Sequence, residues 1–374
     1  MKTRAAIVRE RASPLEIVEL DLEEPRQDEL LIRLVATGLC HSDDHVQTGD
    51  LIVEHYPIIP GHEGAGVVEQ VGPNTSGWEV GDHVVFSFVP SCGRCRWCAE
   101  GMSNLCDIGA HTLVGSRFDD PESFRFSLDG SPVGQLSGLG AFAERTVIST
   151  ASAIKIDKDL PLETACLLGC GVGTGWGSAV YAGEVNPGDV VIVMGIGGIG
   201  INAVQGARHA GASTVIAVDP VRFKLEAAER MGATHAYVTI AEADAFAKSI
   251  TNGQGADVVI VTTGVTTGEH IAQGFAAIRK AGTVVVTGAA KMQEIGIPVS
   301  PWELTMMQKR LQGALFGASN PASDIPRQIR MYRGGQLQLD GIVTARYALD
   351  DIAQGYADMH AGANLRGIIV FDPS

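Results

Sequence analysis

The sequence predicts a two-domain α/β protein, a partly closed β-barrel domain joined to a doubly wound parallel-sheet domain. Three observations predict it. A chain of 374 residues is too long for one ordinary core. Its first half breaks into short strands with Gly and Pro turns and crowded Cys and His, whereas its second half alternates apolar runs of strand length with helical patterns. Between the halves lies Leu167-Leu168-Gly169-Cys170-Gly171-Val172-Gly173-Thr174-Gly175, where glycines let other groups approach the backbone around a potential metal ligand, Cys170.

Composition narrows the function. Apolar content of 45% and charge of 19% are globular values. The net charge of −15 argues against nucleic acid and anionic membrane as partners, because both would repel the chain. No apolar run approaches the roughly 20 residues of a membrane helix. Met1 to Arg11 carries Lys2, Arg4, Arg9 and Arg11 without the apolar stretch of a signal peptide. Seven Cys, four of them crowded together, favour metal thiolates over disulfides, and a cytoplasmic location is expected.

In chain order, Ala5–Arg9 and Leu15–Glu19 read as paired strands with a turn near Ala12-Ser13-Pro14. Leu30–Ala36 alternates as a further strand and leads into Cys40-His41-Ser42-Asp43-Asp44-His45. Gly61-His62-Glu63 precedes the strand Val67–Val71, and Val84–Phe88 is another. Cys92-Gly93-Arg94-Cys95-Arg96-Trp97-Cys98, followed by Cys106, is the sharpest motif. Four thiolates suit a tetrahedral Zn²⁺ and leave no open position, so that site is structural. An iron–sulfur cluster could also use four Cys, and zinc is favoured over it. Phe118–Gln135 reads as a surface loop or hairpin without chemistry, and Ala141–Ile148 as a strand. Pro161–Cys166 opens a helix, with Cys166 a buried core residue.

The second half opens with the strand Asp189–Met194, then Gly195-Ile196-Gly197-Gly198-Ile199-Gly200, then a helix from Ile199 to His209. The strand Thr214–Val218 ends in Asp219, 19 positions past Gly200. A lone GxGxxG is weak evidence. Strand, glycines, helix, second strand and acidic residue in this order define a dinucleotide site, with the pyrophosphate at the helix N-terminus. Asp219 would bind the ribose hydroxyls and favour NAD(H), although Arg222 and Lys224 could accommodate a 2′-phosphate. Ala256–Val261, Gly282–Thr287 and Gly313–Gly317 continue as strands, with Glu269–Lys280 a helix between the first two. The last of these strands is an edge able to pair with a second subunit. Ile325–Tyr332 and Ile352–Met359 read as helices and Gly367–Phe371 as the final strand, with Arg366 before it a candidate phosphate contact.

Cys40, His62 and Cys170 are far apart, and each alone reads as an ordinary buried residue. Together, two thiolates and one imidazole leave the open fourth position of a catalytic zinc. With Gly38-Leu39-Cys40-His41-Ser42-Asp43, Gly61-His62-Glu63, the four-Cys lobe, Gly169-Cys170-Gly171, Gly195 to Gly200 and Leu365-Arg366-Gly367, the chain resembles a zinc-dependent medium-chain alcohol dehydrogenase over essentially its whole length. Val133-Gly134-Gln135-Leu136, Gly175-Trp176-Gly177-Ser178-Ala179 and Asn320-Pro321 with Asp324-Ile325-Pro326-Arg327 resemble its actinobacterial nicotinoprotein branch, assayed with nitrosodimethylaniline (NDMA).

The resemblance implies a GroES-like catalytic domain over residues 1–171 with a structural zinc lobe at 90–108, a Rossmann domain over 172–315, and a return to the catalytic domain over 316–374. It implies two Zn²⁺ per chain and NAD(H), tightly held and recycled in place by an external electron acceptor in the nicotinoprotein branch. Metal and cofactor would face each other at the domain seam. Cys40, His62 and Cys170 would bind catalytic zinc, with Glu63 behind the metal and Asp43 orienting His62. Ser42 and His45 would relay the proton through the cofactor ribose. Thr174 and Ile199 would press on the nicotinamide, and Arg366 would meet the pyrophosphate. His41 stands where many liver-type relatives carry Arg and would lie near the same phosphates. Leu51, Phe88, Leu136 and Leu139 would line a roomy alcohol pocket. The implied reaction is reversible hydride transfer between a primary or secondary alcohol and NAD(H), in a homodimer or homotetramer. A thiol-dependent formaldehyde dehydrogenase and a non-catalytic NAD-sensing protein are the rival readings.

Overall fold

The computed structural model describes residues 1–372, and the chain divides into two compact units. The first comprises Met1–Cys170, Asn320–Arg330 and Leu339–Ser374; the second comprises Gly171–Ser319 and Met331–Gln338.

In the first unit the expected barrel closes fully. Lys2–Val8 pairs with Leu15–Leu22, which pairs with Phe126–Leu128, then Ser131–Gln135, then Ile58–Ile59, which returns to Val8. Beside it lies a sheet centred on Glu29–Gly38. That strand is almost continuously buried because both its edges are covered. Gly64–Val71 runs along one edge, while Arg145–Ser149 and then Arg366–Val370 share the other. Ile7, Leu20, Leu30, Ile32, Phe86, Phe142 and Ile369 form the main core.

The segment 118–135 departs from the surface reading. It does contain a hairpin, Phe126–Leu128 with Ser131–Gln135, but Arg117, Arg125 and Gln135 are buried. Arg117 Nε and Arg125 Nε donate to Glu29 Oε1 at 3.0 and 2.8 Å. Arg125 also donates to Gln135 Oε1 at 3.0 Å, and Gln135 Nε2 donates to Leu139 O, Thr146 Oγ1 and Val147 O. Glu29, Leu139, Thr146 and Val147 lie outside the segment, and their pairing makes burial of these groups tolerable.

The second unit is a six-stranded parallel sheet. Its order is His235–Tyr237, Thr214–Val218, Val190–Met194, Ala256–Val261, Ile278–Val286 and Arg310–Gly313. Val190–Met194 is wholly buried, as a central parallel strand must be. The order reverses between it and Ala256–Val261, opening a crevice at the carboxyl ends of the strands. Thr239 and Glu242 form a capping box that starts the helix Ile240–Ile250. Two sequence expectations shift. The helix Gly268–Ala277 ends three residues early, where Ile278 enters a strand. The last strand is Arg310–Gly313, because Phe316 and Gly317 take φ of 52° and 62°, incompatible with extended backbone.

Candidate active site

The strand Glu29–Gly38 delivers Cys40, which precedes the helix His41–Thr48. Gly38 is required there, since a Cβ on it would lie 2.0 Å from Glu63 Oε2. Gly61 has φ +89° and donates its amide to Asp43 Oδ1 at 2.7 Å. The same oxygen lies 2.9 Å from His62 Nδ1. Close backbone approach explains Gly169, where a Cβ would sit 2.2 Å from the Phe86 carbonyl, and so places Cys170. The result is one buried cluster. Single ligand atoms of Cys40, His62, Glu63 and Cys170 all lie within 4.8 Å of one another.

The electrostatics suit a cation. A hydrogen bond shared with Cys170 holds the Cys40 thiol well below its usual range against burial, with His62 and Arg366 adding to it. Burial pulls His62 down, but Asp43 and Cys40 outweigh it and hold the imidazole well above its ordinary value. Burial pushes the Glu63 carboxyl up. Arg366 donates to Glu63 Oε1, while Glu63 Oε2 and Arg366 Nε are buried without partners. An unpaired buried carboxylate oxygen beside two thiols and an imidazole fits a divalent metal with Cys and His ligands.

The second cluster is Cys92, Cys95, Cys98 and Cys106. The Cys95 and Arg94 amides donate to Cys92 Sγ at 3.3 and 3.5 Å, and the Cys92 amide to Cys106 Sγ at 3.3 Å. Those amides on its sulfur, those of Arg94 and Cys95, bring Cys92 down to about 6, whereas burial pushes Cys106 up to about 12. Tetrahedral zinc with Zn–S bonds of about 2.3 Å needs sulfurs about 3.8 Å apart. Cys95 Sγ and Cys106 Sγ are 3.8 Å apart. Asn320 anchors the lobe through Ser103 Oγ and the Gly101 carbonyl. The two clusters correspond to one catalytic and one structural zinc site.

The remaining first-unit candidates are placed as follows. Ser42 Oγ lies 3.7 Å from Cys40 Sγ. His45 is buried, with Nδ1 3.6 Å from Asp50 Oδ2 and Nε2 without a partner. Burial lowers His41. Phe88 meets the His62 ring edge-on at 5.5 Å. Leu51 and Leu136 share a small apolar cluster with Val46 and Val53, while Leu139 lies in the main core. Sequence reasoning missed Asp50 and the Glu63–Arg366 pair. The only signal for Asp50 is its position just past the helix-ending Gly49, and nothing local signals a pair 303 residues apart.

In the second unit, the glycine cluster follows Val190–Met194 and leads into the helix Gly200–His209. Gly195 has φ +92°, and a Cβ on Gly200 would lie 1.9 Å from the Gly195 carbonyl. Gly197 faces open space, leaving a bare backbone cradle of the kind a pyrophosphate needs. Ile199 is the N-cap of the helix. Asp219 is buried and accepts the Ile196 and Val221 amides, one on each oxygen and both at 2.8 Å. A carboxylate keeps further lone pairs for ribose hydroxyls. The Arg222 side chain is 92% exposed and turns to Glu226, and Lys224 lies on the same helix. The Thr174 hydroxyl is buried without a partner.

A closed barrel with two thiolate clusters and a parallel sheet with a glycine cradle define a zinc-dependent dehydrogenase. Residues 26–158 match the alcohol dehydrogenase GroES-like domain family, and residues 198–332 the zinc-binding dehydrogenase family. The chain is 50% identical over 370 residues to the NDMA-dependent alcohol dehydrogenase of Amycolatopsis methanolica, covering 99% of each chain. Its fold superposes with a TM-score of 0.90 on the alcohol dehydrogenase zinc-binding domain protein of Burkholderia ambifaria, at 34% identity over 100% of this chain and 99% of the other. For the benzyl alcohol dehydrogenase of Acinetobacter calcoaceticus the TM-score is 0.88, at 31% identity over the full length of both chains. The chain therefore belongs to the zinc-dependent medium-chain alcohol dehydrogenases, NAD(H)-linked oxidoreductases of alcohols and aldehydes. Among the described residues no helix is long and apolar enough to cross a membrane.

Proposed function

We propose that this enzyme is a nicotinoprotein, oxidising primary or secondary alcohols with an NAD(H) that stays bound and is recycled by an external acceptor. The 50% identity with an NDMA-dependent enzyme over 99% of both chains supports the reading. The catalytic assignment rests on the convergence of Cys40, His62, Glu63 and Cys170.

Cys40, His62 and Cys170 would hold the catalytic metal. Zinc, when bound, supplies the Lewis acidity that makes an alcohol hydroxyl acidic near neutral pH. Asp43 fixes the His62 tautomer, keeping Nδ1 protonated and Nε2 free to ligate. Arg366 holds one oxygen of Glu63 away and leaves the other available during ligand exchange. Ser42 accepts the substrate proton at Oγ and His45 carries it outward at Nε2. Leu51, Phe88 and Leu136 offer apolar surface to the alcohol. In the second unit Gly195, Gly197 and Gly200 would cradle the pyrophosphate, Asp219 would favour NAD(H), and Thr174 and Ile199 would bear on the nicotinamide. The thiolate clusters suit a reducing compartment, the cytoplasm. The protein is a homo-oligomer through the edge strand Arg310–Gly313, which follows the exposed Ile295, Trp302 and Met306 in the chain.

The test is the nicotinamide content of exhaustively dialysed protein, released by denaturation. Close to one NAD(H) per chain is expected. Empty protein that oxidises alcohols with added NAD would make it a dehydrogenase with a dissociable cofactor.

A further inference from the structure

We infer that Asp50 is a positioning residue for His45, holding its Nδ1 protonated and its Nε2 open to receive the substrate proton. The inference deepens the proposed relay and rests on it. His45 lies in the last turn of the helix His41–Thr48, which ends at Gly49 in the left-handed conformation, φ +78°. The chain then turns back, so that the Leu51 amide donates to the His45 carbonyl at 2.9 Å. Arg11 clamps this turn from outside, donating from Nε and Nη2 to the Gly49 carbonyl at 3.2 and 2.9 Å. The turn brings the Asp50 carboxylate to 3.6 Å from His45 Nδ1.

The two side chains differ in exposure. That of His45 is 4% exposed and that of Asp50 is 22% exposed. His45 Nε2 is buried and has no partner, so one ring nitrogen is reserved while the other faces a carboxylate that water can reach. A carboxylate facing Nδ1 favours the Nδ1–H tautomer, which leaves the Nε2 lone pair able to accept a proton. The proton on Nδ1 then passes to water beside Asp50, so one proton enters the ring and one leaves. Other charged or titratable groups near this turn include His41 and Asp44 on the same helix, the former repelling a charged His45, and Arg11, whose charge also reaches the Tyr56 phenol.

The experiment compares wild type, Asp50→Asn, Asp50→Glu and His45→Gln as zinc- and NAD-loaded full chains with benzyl alcohol as probe. Two readouts are followed, kcat/KM and the tautomer of the His45 ring read from its nitrogen NMR shifts. In Asp50→Asn the His45 ring should lose its preference for the Nδ1–H tautomer. Loss of the tautomer preference should slow oxidation roughly threefold or more at neutral pH. Asp50→Glu should restore much of both. An unchanged His45 tautomer in Asp50→Asn overturns the inference. If His45→Gln slows turnover while Asp50→Asn is silent, the relay stands and only the role of Asp50 falls. If His45→Gln is itself silent, the relay and the inference fall together.

Discussion

Asp43 Oδ1 lies 2.9 Å from His62 Nδ1 and accepts the Gly61 amide at 2.7 Å, so one buried oxygen orients both the metal-binding ring and the backbone that carries it. Neither Asp43 nor His62 is more than 3% exposed. Water cannot replace this contact. Asp43→Asn removes the charge that holds the Nδ1 proton and should weaken catalytic zinc roughly 10- to 100-fold. Chelator competition followed by elemental analysis checks this. Unchanged affinity would show that the ring is oriented by something else.

A Cβ on Gly175 would lie 2.1 Å from the Ile199 carbonyl and 2.8 Å from the Ala203 amide nitrogen. Both neighbours are backbone and cannot move aside cheaply. Gly175→Ala should therefore cost about 1–3 kcal/mol of stability and displace the glycine loop that begins the helix Gly200–His209. Urea unfolding and NADH titration by fluorescence together check it, and both should weaken.

Glu29 gives the acid response of the first unit. Burial pushes its carboxyl up, but Arg125, the Arg26 amide and Arg117 win and hold it below the ordinary value. A lowered folded-state pKa means that this stability is fully present above the unfolded value of about 4.3 and is lost as pH falls through the lower folded value. Glu29→Gln should cost about 3–5 kcal/mol at pH 7, because buried Arg125 loses its carboxylate partner and Arg117 keeps only the exposed Glu23. It should also flatten the fall in urea midpoint below about pH 4. A variant with the wild-type acid profile would locate the acid sensitivity elsewhere.

What was legible in the sequence is what is local. The Cys92–Cys106 spacing, the Gly195–Gly200 turn and the Glu29–Gly38 strand each carry their reason within a few residues. The glycines around Cys170 read as sites of close approach, and folding brings the Phe86 and Ile199 carbonyls against Gly169 and Gly175. The Glu29–Arg117–Arg125–Gln135 network was not legible. An Arg or Gln in a polar segment reads as solvated, and the carboxylate that pairs with Arg117 and Arg125 lies about 90 residues away. The pairing of Arg366 with Glu63 and the turn that carries Asp50 to His45 are likewise products of folding. The misplaced last strand shows the converse failure. Gly313-Ala314-Leu315-Phe316-Gly317 has a strand's composition, but the backbone at Phe316 is left-handed.

The most direct test is the zinc content and alcohol-dependent turnover of Cys170→Ser beside Cys92→Ala. Wild type should hold two zinc ions per chain. Cys170→Ser should keep the structural zinc and bind NAD(H), yet lose catalytic zinc and alcohol-dependent hydride transfer. Cys92→Ala should instead lose stability, with turnover surviving in the fraction that remains folded. Wild-type turnover in Cys170→Ser would contradict the assignment of Cys40, His62 and Cys170 as the catalytic metal site.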